Sequence, residues 1–216
     1  MGFLSKIFGN SEEEKQKKAL QDAFAMVRKV IEDEEFQLSL SPGLAEMLKT
    51  APAVDENPGS TGSFGFIETN PIPVNGAIGE IAYLSKLQTL SGERVIFHRL
   101  GAIKTVDVFE AVTFSGSEWF IFFLDLYHPR KSRKAPDGFK FTKDLAQFSG
   151  FHKFCADFPY DFVEKKQTES DSGLSFAYIP ISNVQQQIQG RNFTRPVAHK
   201  VKLEMVLNRL SSRLNQ

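Results

Sequence analysis

Four cations crowd into five positions, Arg130, Lys131, Arg133 and Lys134, directly after a strongly apolar run. Arginine and lysine recognise phosphate or carboxylate, the first through a two-pronged fork and the second as a point charge. Tyr127 and His128 precede the cluster and offer rings that stack on a base or ring system. A second stretch, TNPIPVNGAIG from Thr69 to Gly79, offers backbone instead. Pro71 and Pro73 hold it extended, and Asn75-Gly76 is a tight-turn signal. Successive N–H groups in such a turn suit an anion. It lacks the spacing of a phosphate-binding P-loop, with no Gly-Lys-Ser or Gly-Lys-Thr after it. Asn70, Asn75 and Gly76 therefore join Tyr127, His128 and the four cations as candidate ligand-binding residues. Two structural explanations compete: the loop pairs with acidic residues inside the protein, or it is a solvated turn that blunts a strand edge.

Acid–base chemistry has separate candidates. Glu80, Glu110 and Asp125 fall in strand-like stretches that could adjoin, with His98 and Arg99 nearby. A carboxylate with cationic support can hold and move a proton. His152 and Cys155 are three apart, which on a helix puts them on neighbouring turns. The phenylalanines around Cys155 favour a buried structural thiol. His98, His128, His152 and His199 are scattered, and neither HExxH nor CxxC occurs. No metal and no cofactor is assigned on spacing, and the residues match no named family's motif set.

These groups need elements to hold them. Trp119 to Leu126 alternates two apolar faces, Phe120, Phe122, Leu124 and Leu126 against Trp119, Ile121, Phe123 and Asp125, which predicts a strand covered on both sides. Pro129 ends it, and Pro136-Asp137-Gly138 closes the basic loop with a turn. Glu80–Leu87, Arg94–Leu100, Val106–Phe114 and Trp119–Tyr127 read as four successive strands joined by short turns. Ser11 to Glu35 reads as a helix with a capping box at Ser11 and Glu14 and an apolar stripe of Leu20, Phe24, Val27 and Ile31. A short helix follows Ser41-Pro42. After the loop, Thr142 to Phe158 reads as a Phe-rich helix weakened at Gly150. A polar loop over Lys165–Gly173, an extended piece over Leu174–Ile181 and a helix from Ser182 to Gly190 come next. Pro196 starts a last helix carrying Leu203, Val206 or Leu207, Leu210 and Leu214 on one face.

The chain has 216 residues, enough to bury a real core, and 21 of them are phenylalanine against 4 tyrosines and 1 tryptophan. Lysine plus arginine equals aspartate plus glutamate at 26 each, so no global charge draws the protein to nucleic acid, and no nucleic-acid-binding fingerprint occurs. The single Cys155 excludes an internal disulfide. No apolar run reaches a membrane span, and the first residues lack a signal-peptide pattern, so the expected location is cytoplasmic. Met1 to Phe8 is amphipathic and offers weak contact with a membrane surface or a partner.

The expected architecture is α+β: an antiparallel β-meander of about four strands packed against Phe-rich helices. A helical N-terminal arm (1–50) attaches through a Pro/Gly/Ser-rich linker or long loop (51–65) to one α+β domain (66–216). The expected function is a non-catalytic binding module for an anionic small molecule or an acidic protein surface. The alternatives are a small enzyme using Asp125, Glu80 or Glu110 with His98, and a scaffold that docks through Met1–Phe8.

Overall fold

The computed structural model describes residues 4–40, 42–143, 148–161 and 184–212, with side chains from residue 12 onward. Positions 144–147 of the expected Phe-rich helix, the polar and extended stretches at 165–181, Ser182, Leu214 and the side chains of Met1–Phe8 lie outside the described residues. The fold is mixed α+β. Three helices open it: α1 (Leu4–Glu32), α2 (Glu34–Ser39) and α3 (Pro42–Thr50). Then come β1 (Ile72–Pro73), α4 (Gly76–Lys86), β2 (Leu87–Thr89), β3 (Val95–Ile103), β4 (Val106–Thr113) and β5 (Trp119–Asp125). β6 (Phe139–Phe141), β7 (Gly150–Phe151), a helical turn α5 over 184–188 and α6 (Val197–Ser211) complete it.

The main sheet runs β1-β5-β4-β3-β7. Its centre, β3-β4-β5, is antiparallel and accounts for three of the four strands expected in the meander. Its edges are not: β1 lies parallel to β5 and β7 parallel to β3, so the sheet is mixed. β2 and β6 form a separate antiparallel pair. Every residue of the central β4 is buried. On one face, Phe122 and Phe109 share a core with Ile81 and Leu84 of α4 and Val27, Val30 and Ile31 of α1. On the other, Val106, Val108, Ile121 and Phe123 pack under Val206, Leu203 and Leu210 of α6. The expected Phe-rich core is present: the Phe139 ring sits 4.8 Å from Phe120 and 5.4 Å from Phe122, and Phe66 stacks 5.4 Å from Phe122.

Three local expectations are corrected. Glu80–Leu87 is not a strand but most of α4 with the first residue of β2. Its stretch from Gly79 to Ser85 is buried all round, so it shows no polar face, and a short apolar run of that kind cannot be told from a strand by periodicity. Ser11 is no N-cap, because α1 already runs from Leu4. Phe148–Phe158 is not helical: Gly150 and Phe151 form β7, and the residues after it are loop.

Gly150 shows why that strand forms. A Cβ there would stand 2.2 Å from the ring of Phe97, which is wholly buried and pairs with Gly150 across the sheet. The missing side chain lets the two backbones close over the ring. Gly150→Ala should therefore destabilise the fold by roughly 1–3 kcal/mol through overpacking. A denaturant melt with an unchanged midpoint would show that the ring does not occupy that space.

Candidate functional site

Strand β4 carries two carboxylates, Asp107 and Glu110, which an odd spacing directs to opposite faces. An ionised carboxylate removed from water needs donors. On the α6 face, Glu110 has four. His98, its direct partner on β3, lies 3.0 Å away, and His199 of α6 2.8 Å away. Arg195 forks it from Nε at 2.7 Å and from the terminal nitrogen at 2.9 Å. Burial pushes the Glu110 carboxyl up, but the hydrogen bonds from Arg195, His199 and His98 outweigh it and hold the pKa well below its usual 4.5. His98 is spent on both sides, since its Nδ1 accepts the Cys155 backbone N–H at 3.0 Å and its ring stacks 4.1 Å from Phe158. Cys155 is buried, as its neighbours suggested, but no helix joins it to His152.

The α4 face is arranged differently. A β-bulge at Arg99/Gly101 shifts the β3–β4 register, and Arg99 forks Asp107 at 2.8 Å through both nitrogens. His152, just after β7, brings Nε2 to 3.2 Å from Asp107 and 2.7 Å from Glu80 of α4. Glu80 is wholly buried. Its pKa is pushed up to about 8, first by burial and then by the charge of Asp107, against the pull of His152. Burial lowers the His152 imidazole, but Asp107 and Glu80 together raise it to about 9. The pair therefore retains protons at neutral pH.

Asp125 belongs to neither group. It ends β5, where His128 Nε2 lies 3.1 Å from Oδ2 and Asn57 donates at 3.0 Å. The three carboxylates named from sequence thus do not converge; each has found its own histidine. Nothing in their sequence spacing links Asp107 and Glu110 to His152, Arg195 and His199. The available signal was the β4 sequence itself, a continuous apolar run with one carboxylate per face.

The basic loop and the Asn70–Gly76 stretch do adjoin. Asn75 bridges Tyr127, His128 N–H donates to Val74 O, and Ser132 N–H donates to Pro73 O. Much of the loop's charge is answered from within the protein. Arg130 pairs with Asp55 at 2.6 Å and Lys134 with Glu56 at 2.5 Å. Arg130 is the first cause of a lowered Asp55 pKa, followed by the Arg133 backbone N–H. Asn70 donates to Glu56 and to the Gly62 carbonyl, and Asn75 to Gln37. Gly76 takes a φ of +76°, which a glycine adopts without strain at the start of α4.

Lys131 and Arg133 are placed otherwise. They line a cavity of about 350 Å³ with Lys86, opposite Glu32 and Glu34. Ile31, Tyr83 and Phe141 supply its apolar wall. Lys131 is held by buried Gln37, whose Oε1 accepts from Nζ at 2.8 Å while its amide donates to the Val30 and Ile31 carbonyls at the end of α1. Its carboxylate partner, Glu34, stands at 3.6 Å. Burial depresses the Lys131 amine to about 8, with Glu34 opposing. Arg133 has no side-chain hydrogen bond or ion pair among the described residues.

No protein-family model, curated protein or solved structure matches this chain. No described helix is long and apolar enough to cross a membrane.

Glu110→Ala should cost about 3–5 kcal/mol, because it strands three cationic or polar partners in a buried setting. A denaturant melt measures this, and a loss below about 1 kcal/mol would mean the clamp is dispensable. The His128–Asp125 contact predicts a pH window. Burial lowers the His128 pKa, but Asp125 and the Pro52 carbonyl outweigh it and leave it raised above 6.5. Burial raises Asp125, and His128 and Asn57 outweigh it to leave it below 3.8. The Asp125 contribution is present above 3.8 and lost as pH falls through its lowered value. That of His128 is complete below 6.5 and lost as pH rises through its raised value. Amide exchange of residues 53–57, corrected for intrinsic rate, should accordingly be slowest between those limits and lose that pH dependence in His128→Gln.

Proposed function

We propose that the chain is a binding module for a small anionic ligand with an apolar body, held in the cavity between α1, α2, α4 and the basic loop. One observation carries the reading: Lys86, Lys131 and Arg133 converge on a concave, partly apolar space. Such spaces, with a few placed polar groups, are where small ligands bind. Arg130 and Lys134, with Asp55 and Glu56, serve as the brace that holds the loop in place. Lys131 and Arg133 then contact the ligand. The Lys86–Glu32 distance of 3.9 Å and the Lys131–Glu34 distance of 3.6 Å are long for ion pairs, so an incoming phosphate or carboxylate competes on good terms. Tyr83 and Phe141 offer the apolar portion of the ligand a surface. Its own donors would meet Glu32 and Glu34.

A thermal-shift screen of phosphate monoesters and short carboxylates tests this. At least one class should raise the melting temperature of the wild type. Lys131→Met keeps the buried stem and removes the amine. It should weaken binding about 10- to 100-fold, the worth of one charge-assisted hydrogen bond at roughly 1.5–3 kcal/mol. Affinity should also fall as pH rises through about 8, where Lys131 loses its proton. Equal affinity in Lys131→Met, or no stabilising anion at all, would refute the assignment.

A further inference from the structure

The buried groups on the α4 face of β4 take no part in that cavity, and they are unbalanced in a way the opposite face is not. Around Glu110 a single carboxylate meets Arg195 and two imidazoles. Around Asp107 two carboxylates share Arg99 and one imidazole. We propose that Glu80, Asp107 and His152 form a binding site for one divalent transition-metal ion.

Three observations carry this. The first is the donor set: one ligand atom from each of the three residues lies within 4.8 Å of the others, and among the described residues this is the only such group. The second is Glu80. Its side chain is fully buried, and neither carboxylate oxygen makes a hydrogen bond within the described residues. Oε2 stands 2.7 Å from His152 Nε2 without the alignment of a hydrogen bond, and Oε1 has no partner. A buried carboxylate left in that condition is costly. The third is distance. Ligands at about 2.0–2.2 Å from a zinc-sized ion stand roughly 2.8–3.1 Å from one another at octahedral angles and roughly 3.3–3.6 Å at tetrahedral ones. The His152–Glu80 and His152–Asp107 separations of 2.7 and 3.2 Å fall within about 0.1 Å of those ranges, so small side-chain movements open the set around an ion.

The chemistry of the donors sets the class of ion. One imidazole and two carboxylates suit zinc, manganese or iron(II), and the set lacks the thiolates that favour copper(I). The ion displaces the protons that His152 Nε2 and the Glu80 carboxyl now hold, and both leave to solvent. Two anionic ligands then balance its double charge. Arg99 keeps its fork on Asp107 and fixes that carboxylate from outside the coordination sphere. His152, whose side chain is 29 % exposed, gives access from the surface.

The test uses the full chain, stripped with EDTA and dialysed, and titrated with ZnCl2. Native mass spectrometry should show one ion per chain, and calorimetry in two buffers of different ionisation enthalpy should report proton release. Co2+ in place of Zn2+ should give the intense visible bands of a four- or five-coordinate site. Glu80→Gln removes the charge with little change of shape. It should fold with an unchanged or higher melting temperature without metal, and lose affinity by more than about 100-fold, beyond what loss of an outer partner costs. His152→Gln, at a partly exposed position, gives the same readout should Glu80→Gln fail to fold. No bound ion at tenfold excess of Zn2+, or affinity in the variants equal to that of the wild type, would overturn the proposal. In the latter case the ion is adventitious.

Discussion

A carboxylate on each face of one fully buried strand is the constraint on which the rest of this structure depends. Asp107 and Glu110 cannot both sit in β4 unless each is met by donors brought from elsewhere. Glu110 draws in His98 from the neighbouring strand and Arg195 and His199 from more than eighty positions away. Arg195 also donates to the Phe158 carbonyl at 2.7 Å, so the same guanidinium anchors the segment after β7. Asp107 draws in Arg99 and His152, and through His152 it reaches Glu80 on α4. The helices on both sides of the sheet are thus placed by polar contacts as well as by apolar packing.

The parts of this fold that were legible in the sequence are those with a local signature. Trp119–Asp125 reads as a strand covered on both faces because its two alternating sets are both apolar, and the structure covers them with α4 and α1 on one side and α6 on the other. α6 reads correctly from Pro196 and its Leu203, Val206, Leu210 spacing. α4 does not, since a helix buried on every side has no polar stripe to betray its period. Gly150 weakens a helix reading only slightly, and nothing near it reveals that Phe97 fills its side-chain space. Chemistry was less legible than architecture. The sequence groups His98 with Asp125, Glu80 or Glu110 without choosing among them, and the fold sets it opposite Glu110 across β3 and β4. Glu80 reads as a strand residue but lies in α4, and its neighbours Asp107 and His152 come from positions whose proximity only the tertiary fold creates.

The basic loop illustrates how charge in a sequence overstates charge on a surface. Four cations in five positions look like an electropositive patch. Yet the Pro- and Gly-rich stretch before β1 carries Asp55 and Glu56, which fold back onto Arg130 and Lys134. The Asp55 carbonyl and carboxylate also accept from Ser132 and from the Arg133 backbone. What stays available is set by which side chains point into the hollow beside α2, and that selects Lys131 and Arg133. The α1 terminus and the loop are connected through one amide, Gln37, which satisfies two terminal carbonyls of the helix and orients both Lys131 and Asn75.

The clamp around Glu110 also carries its own optical reporter. Trp119 is the sole tryptophan, and its indole lies 4.9 Å from the Arg195 guanidinium and 5.4 Å from the His199 ring. Polar groups packed against an indole alter its emission intensity, and the emission maximum shifts when the ring meets water. Because His199 belongs to α6 and Arg195 to the segment leading into it, undocking of that helix changes both the intensity and the colour of the intrinsic fluorescence without any label. Movements of the last helix can therefore be followed in real time, separately from melting of the phenylalanine core, which is silent at the same excitation wavelength.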